Sequence, residues 1–114
     1  MGIFVKGDIV VVPFPFSDVS AAKRRPALVL TDSEQDTCGD FILAQITSQQ
    51  AADDLAVEID AGDFENGALR HASSVRPSKL FTANEKIVLY KAGNLRKEKL
   101  REVFLQVTSL FPTE

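Results

Sequence analysis

Residues 7–31 read GDIVVVPFPFSDVSAAKRRPALVLT, and this stretch decides the fold. Ile9 to Val12 are β-branched without a break, and Ala27 to Leu30 form a second apolar run. Such runs favour strands. The polar loop between them ends in Lys23, Arg24 and Arg25, followed by Pro26. A hairpin-like corner is the expected result. Proline fixes its own φ and biases the residue before it toward extended backbone. Arg25 is therefore held where the loop meets the sheet, as rigid scaffolds hold working side chains.

Outward from this corner, residues 8–16 read as the first strand. Val10, Val12, Phe14 and Phe16 take one face; Ile9, Val11, Pro13 and Pro15 take the other. Both faces are apolar, so both are expected to be covered. Pro13 and Pro15 cannot donate to a ladder, which places that end at an edge or a bulge. Residues 1–6 form a short lead-in, with Ile3 and Val5 pairing at an edge. The second strand is expected at 25–32, a polar turn at 33–39 and the third strand at 40–48. In that third strand Ile42, Ala44 and Ile46 share a face. Phe41, Leu43, Gln45 and Thr47 share the other, which turns polar toward its end.

A fourth strand at 51–59 alternates through Leu55, Val57 and Ile59. Residues 61–72 show no clear period; Gly62 and Gly67 suggest turns. Residues 73–83 read as a strand kinked at Pro77, and 86–90 as another. The end of the chain changes period. Leu100, Val103, Phe104, Val107, Leu110 and Phe111 recur at helical spacing. Asn94 is the expected N-cap and Pro112 the stop, with the charged residues of 96–102 as the wet face. The reading is mostly β with one C-terminal helix: five to seven short strands in a small curled barrel, one domain over residues 1–114.

A chain of 114 residues supports one domain with a modest core. Its net charge of −3 argues against binding nucleic acid through a bulk positive field. The charge is unevenly placed. Residues 53–65 hold six acids and no base, read as a solvated loop and strand edge. Lys23 to Arg25, Arg70, Arg76 and Lys79 lie outside that block, so a locally basic groove is compatible with an acidic protein. No apolar run is long enough to span a membrane, and no signal peptide pattern is present. Cys38 is the sole cysteine and His71 the sole histidine. An internal disulfide is impossible, which suits a reducing cytoplasm. One Cys and one His far apart do not make a zinc site of ordinary spacing. No metal or cofactor is expected, and Cys38 is read as inert.

The stretches GDIVVVPFPFSD and KRRPALVLT resemble the opening of the MazF/PemK family of bacterial toxins. FILAQITSQ at 41–49 is similar to the family's third-strand block, and SSVRPSKLFT at 73–82 to its later core strand. The C-terminal helix matches in position, and the resemblance covers nearly the whole chain. It implies an SH3-like barrel that forms a homodimer. It implies a sequence-specific endoribonuclease that cuts single-stranded RNA, mostly mRNA, without a metal. It also implies a cognate antitoxin with an extended acidic tail. The family's catalytic arginine falls on Arg25 and its catalytic threonine on Thr47. A loop serine of the family corresponds to Ser17 or Ser20. Where the family's loop is glycine-rich, this one carries Ala21 and Ala22. Lys23, Arg24, Gln45, Ser48 and Arg76 complete the expected RNA contacts.

Metal-free RNA cleavage uses the substrate's 2′-OH as nucleophile and needs a group that holds the charged phosphorane. A guanidinium suits that task, since its planar fork matches two phosphate oxygens. It stays protonated and so is a poor base. By residue type alone, Arg25 is a surface cation near a turn and Thr47 a strand residue; the resemblance is what marks them. Phe14 and Phe16 serve as stacking platforms or as core. Arg76, also before a proline, is an RNA contact or half of an ion pair. His71 carries the side chain best suited to proton transfer near neutral pH, yet the resemblance does not mark it. Two other readings stand beside the nuclease: a toxin of the same fold that inhibits a protein such as DNA gyrase, and an SH3-like interaction module.

Overall fold

The unbroken β-branched run 9–12 becomes a central strand with both faces buried. Ile9, Val10 and Val12 are completely shielded and Val11 nearly so. A computed structural model describes residues 4–14, 23–33, 38–48 and 54–112. Its strands are β1 (Asp8–Phe14), β2 (Lys23–Val29), β3 (Asp40–Thr47), β4 (Val57–Ile59), β5 (Phe64–Gly67), β6 (Ser73–Asn84) and β7 (Tyr90–Leu95); α1 spans Lys97–Thr108. They form one curled antiparallel sheet in the order β4-β6-β3-β2-β1-β7-β5.

Two apolar clusters lie on the two faces of this sheet. Ile9, Leu28, Ala44, Ile46 and Val75 form one with the helix. Val103 is fully buried there, with Leu100, Phe104 and Val107 beside it. These are the positions that the helical spacing selects. Val10, Val12, Ala27, Val29, Phe41 and Leu43 form the other, covered in part by Phe4, Phe81 and Val88. Phe4 stacks on Phe41 at 5.6 Å between ring centroids. The double-sided apolar character of β1 and β2 is thus absorbed within one chain. Each such side chain contributes roughly 1.5–3 kcal/mol by leaving water.

Several boundaries differ from the sequence reading, each for a local reason. The second strand begins at Lys23 and ends at Val29. Val5 is not in a strand: its N–H donates to the buried Asp8 carboxylate (3.1 Å), which also pairs with Lys91 (3.3 Å). The fourth strand is only Val57–Ile59, since 54 and 55 form a turn and 51–53 fall outside the described residues. Within 61–72, Asp60 caps a 3-10 turn at Ala61–Asp63 through a reciprocal capping box, and β5 follows directly.

The expected strand at 86–90 is instead a 3-10 turn at Glu85–Ile87, because the Asn84 side chain accepts from the Lys86 N–H and turns the backbone. Asn94 is no N-cap. It lies in β7 opposite Asp8 and Asn66, and the helix starts after Arg96 without a side-chain cap. The kink at Pro77 is real. Gln45 pairs with Arg76 but Ala44 with Leu80, so β6 bulges over Pro77 to Lys79 and buries the proline. Pro13 pairs with Arg24 on one side, while the β1–β7 ladder runs only from Asp8 to Val11. The proline therefore sits where no second ladder needs its missing N–H. The acidic block is not wholly solvated: Asp63 of the 3-10 turn meets Lys99 at 3.8 Å and Glu65 of β5 meets Arg96 at 3.9 Å, tying this segment to the helix start.

Candidate functional site

Register brings the sequence candidates together. Val12 pairs with Arg25 across β1 and β2. The β2–β3 ladder pairs Ala27 with Gln45 and Val29 with Leu43 and ends there; by strand alternation Arg25 shares the face of Ala27, and Thr47 that of Gln45. Across β3 and β6, Gln45 pairs with Arg76 and Thr47 with Ser74. Paired residues share a face of a sheet, and directly opposed Cβ atoms lie about 4.5–5.5 Å apart. Arg25, Thr47, Gln45 and Arg76 therefore share the face that carries Val10 and Val12, at the end of the sheet where β2 begins and β3 finishes.

All four side chains are half-buried. The Arg25 Nε is shielded from solvent and makes no hydrogen bond among the described residues. A buried donor without an acceptor is costly, on the order of 1–3 kcal/mol. A half-buried guanidinium of this kind, on the same face as Thr47, is an arrangement that a phosphate oxygen would complete.

The same alternation separates Arg24 from Arg25. Arg24 is exposed and shares the opposite side of β2 with Pro26. It lines a cleft of about 270 Å³ with Arg70, His71, Ser48, Ser73 and Tyr90; Arg25 borders the same cleft. Ser48 follows Thr47 at the end of β3 and is likewise exposed. The backbone of Lys23 pairs with Phe14 at the start of β2. Ser17, Ser20 and Phe16, the side chains of Lys23 and Phe14, and the alanines of the loop lie outside the described residues.

His71, set in a segment with no readable period, comes to this cleft beside Arg70. Its carbonyl accepts from the Ser73 hydroxyl at 2.9 Å. Arg70 and Tyr90 were not marked as site residues by sequence; the only signals were a base outside the acidic block and an aromatic at a strand end. Cys38 is exposed, and its carbonyl accepts from Asn84 Nδ2 at 2.8 Å, far along the sheet from Arg25. Among the described residues no three or more His, Cys, Asp or Glu side chains gather as metal ligands. Among them, too, no helix is long and apolar enough to cross a membrane.

Comparison with known proteins agrees along nearly the whole chain. Residues 5–111 match the family described as PemK-like, MazF-like toxin of type II toxin–antitoxin system. A MazE–MazF crystal structure from Deinococcus radiodurans superposes with a TM-score of 0.78 at 19% identity, covering 98% of this chain and 99% of that one. An endoribonuclease in complex with its cognate antitoxin, from a mycobacterial species, gives 0.76 at 10% identity, covering 98% and 100%. The Mycobacterium tuberculosis toxin MazF-mt6 gives 0.72 at 18% identity, covering 94% and 98%. At these identities the likeness establishes the fold: the curled sheet and terminal helix are those of MazF structures. Sequence comparison with proteins of curated function found no match.

Proposed function

Because the chain belongs to the family of PemK-like, MazF-like toxins of type II toxin–antitoxin systems, we propose that it is an endoribonuclease whose working groups are Arg25 and Thr47. The observation that carries this reading is the register that puts these two residues on one face at one end of the sheet, with the Arg25 Nε buried and lacking an acceptor among the described residues. The substrate is single-stranded RNA, mRNA above all, cut at a preferred sequence. The 2′-OH attacks the adjacent phosphorus as the P–O5′ bond breaks, and the hydroxyl proton ends on the leaving 5′ oxygen. The products carry a 2′,3′-cyclic phosphate and a 5′-hydroxyl.

Arg25 binds the equatorial oxygens of the phosphorane through its forked donors. Donors of this kind act where charge develops. Thr47 donates to a phosphate oxygen and helps to fix the scissile group. Gln45, Ser48 and Arg76 position the strand around it, since contacts to phosphate set register without reading sequence. Incubation of a long RNA with the purified protein, followed by sequencing of the cut ends, tests the whole reading. Fragments with the stated ends and a common flanking sequence are expected, and intact RNA at high enzyme concentration would sink it.

No step in this chemistry calls for a divalent ion. Activity should therefore be unchanged by excess chelator. Loss of cleavage in chelator, restored by magnesium, would move the chemistry away from Arg25.

The toxin acts under the control of a cognate antitoxin, whose extended acidic tail is complementary to the arginines at this end of the sheet. It is also expected to work as a homodimer. Val5, Ile87 and Leu89 remain 43–48% exposed on the single chain and offer apolar material for such a contact. Light scattering at micromolar concentration should return twice the chain mass of 12.5 kDa. A clean monomer would contradict it.

A further inference from the structure

We propose that the cleft bounded by Arg24, Arg70, His71 and Tyr90 holds one nucleotide flanking the scissile bond, its phosphate between Arg24 and Arg70 and its base against the Tyr90 ring. This deepens the ribonuclease reading and rests on it. The cleft measures about 270 Å³, just below the usual range for whole-ligand pockets and suited to a single nucleotide. Arg24, Arg25 and Arg70 border it and, among the described residues, no acid does, in a protein whose net charge is −3. Charge of one sign gathered along a concave wall focuses the field and draws in the opposite charge. Tyr90 is 55% exposed, so the cleft wall presents an aromatic ring to solvent. Cationic walls with an exposed ring are what single-stranded nucleic acid uses, the backbone on the cations and a base on the ring.

Continuity with the candidate active site comes from two strands at once. At β2, Arg25 faces the catalytic side and Arg24 the cleft. At β3, Thr47 faces the catalytic side and the next residue, Ser48, lines the cleft. Consecutive Cα atoms are 3.80 Å apart. An RNA strand held at Arg25 and Thr47 therefore has only the sheet's end to cross to reach the second set of groups. An acidic peptide would satisfy the guanidinium groups as well, but it would leave the Tyr90 ring without a stacking partner, and so the nucleotide is the better fit.

The test uses the full chain carrying Arg25→Ala, to keep RNA intact, and an end-labelled pool of random-sequence 12-nucleotide RNA. Ultraviolet crosslinking with peptide mapping should place a crosslink on Tyr90. Tyr90→Ala should weaken binding by about five- to a hundredfold, whereas Tyr90→Phe keeps the ring and should bind normally. Arg70→Ala should lower the slope of log affinity against log salt by about 0.7. In the cleaving protein, Tyr90→Ala should raise KM and leave kcat in place. If Tyr90→Ala and Arg70→Ala bind and cut RNA like the parent, with no crosslink in the cleft, the proposal fails while the nuclease reading survives. A protein that neither binds nor cuts RNA ends both. Cleft variants that lose affinity for a glutamate-rich peptide alone, with RNA binding intact, would also overturn the proposal and assign the cleft to the antitoxin's acidic tail.

Discussion

Arg25→Lys and Arg25→Ala are expected to fold and to bind RNA, yet to cut it about a hundred- to a thousandfold more slowly. That is the usual loss when one transition-state contact is removed, roughly 3–4 kcal/mol. Lysine keeps the charge and loses the planar pair of donors, so it should not rescue the rate. Arg25 is half-buried near the start of β2, and its Nε holds no partner among the described residues. Its removal therefore breaks no hydrogen bond seen there, and the melting temperature should move little. Arg24 gives the contrast. It faces the other side of the strand, and Arg24→Ala should weaken RNA binding and its salt dependence while the cleavage step persists. Single-turnover cleavage at saturating enzyme separates the two. Near-normal cleavage by Arg25→Ala would remove the central assignment.

Gly93→Ala is expected to cost about 2–4 kcal/mol, in the range of severe packing defects. Gly93 in β7 stands opposite Gly67 in β5, and the two backbones nearly touch. A Cβ on Gly93 would lie 2.3 Å from the Asn66 carbonyl oxygen; one on Gly67 would lie 2.2 Å from that of Ala92. Neither neighbour is a flexible side chain, so the strands must part. Gly67 also sits at φ +78°, which disfavours any side chain. A fall in Tm of roughly 10–25 °C should follow for a domain of this size. Glu65→Ala, close by on β5, removes only an exposed ion pair with Arg96 and should change stability by less than about 1 kcal/mol. Equal melting of Gly93→Ala and the parent would mean that β5 does not lie where the ladder puts it.

The legible parts of this molecule are those where one local signal had no competitor. The run at 9–12 is apolar on both faces, and β1 is buried on both. Leu100, Val103, Phe104 and Val107 repeat at helical spacing, and the helix turns those residues inward. Pro77 announced a break, and β6 bulges there. Asn84 and Asn94 show why other parts were not legible. An asparagine is a good cap and a poor strand residue, but position in the sheet decides between the two roles. Asn84 caps a turn inside a stretch whose Ile87 and Leu89 otherwise read as strand, and Asn94 is taken up by pairing to β1 and β5.

The candidate site divides in the same way. The shared face of Arg25 and Thr47 follows from alternation plus register, and the spacing of residues within each strand carries half of that. Arg70, His71 and Tyr90 meet through the fold of 61–72, whose shape depends on the Asp60 capping box and on tethers to the helix. No periodicity records such a meeting.

Strand order also has a consequence for how the protein comes off the ribosome. β1 is made first, yet it lies between β2 and β7. Its hairpin with β2 is available early, while its second edge stays unpaired until residues 90–95 emerge, and Val103 seals the core later still. An apolar strand with an open edge is a sticky intermediate. Pairings this distant in sequence also form slowly. A nascent copy therefore closes the sheet around β1 only after residues 90–95 have been made, and packs its core only after Val103 has followed.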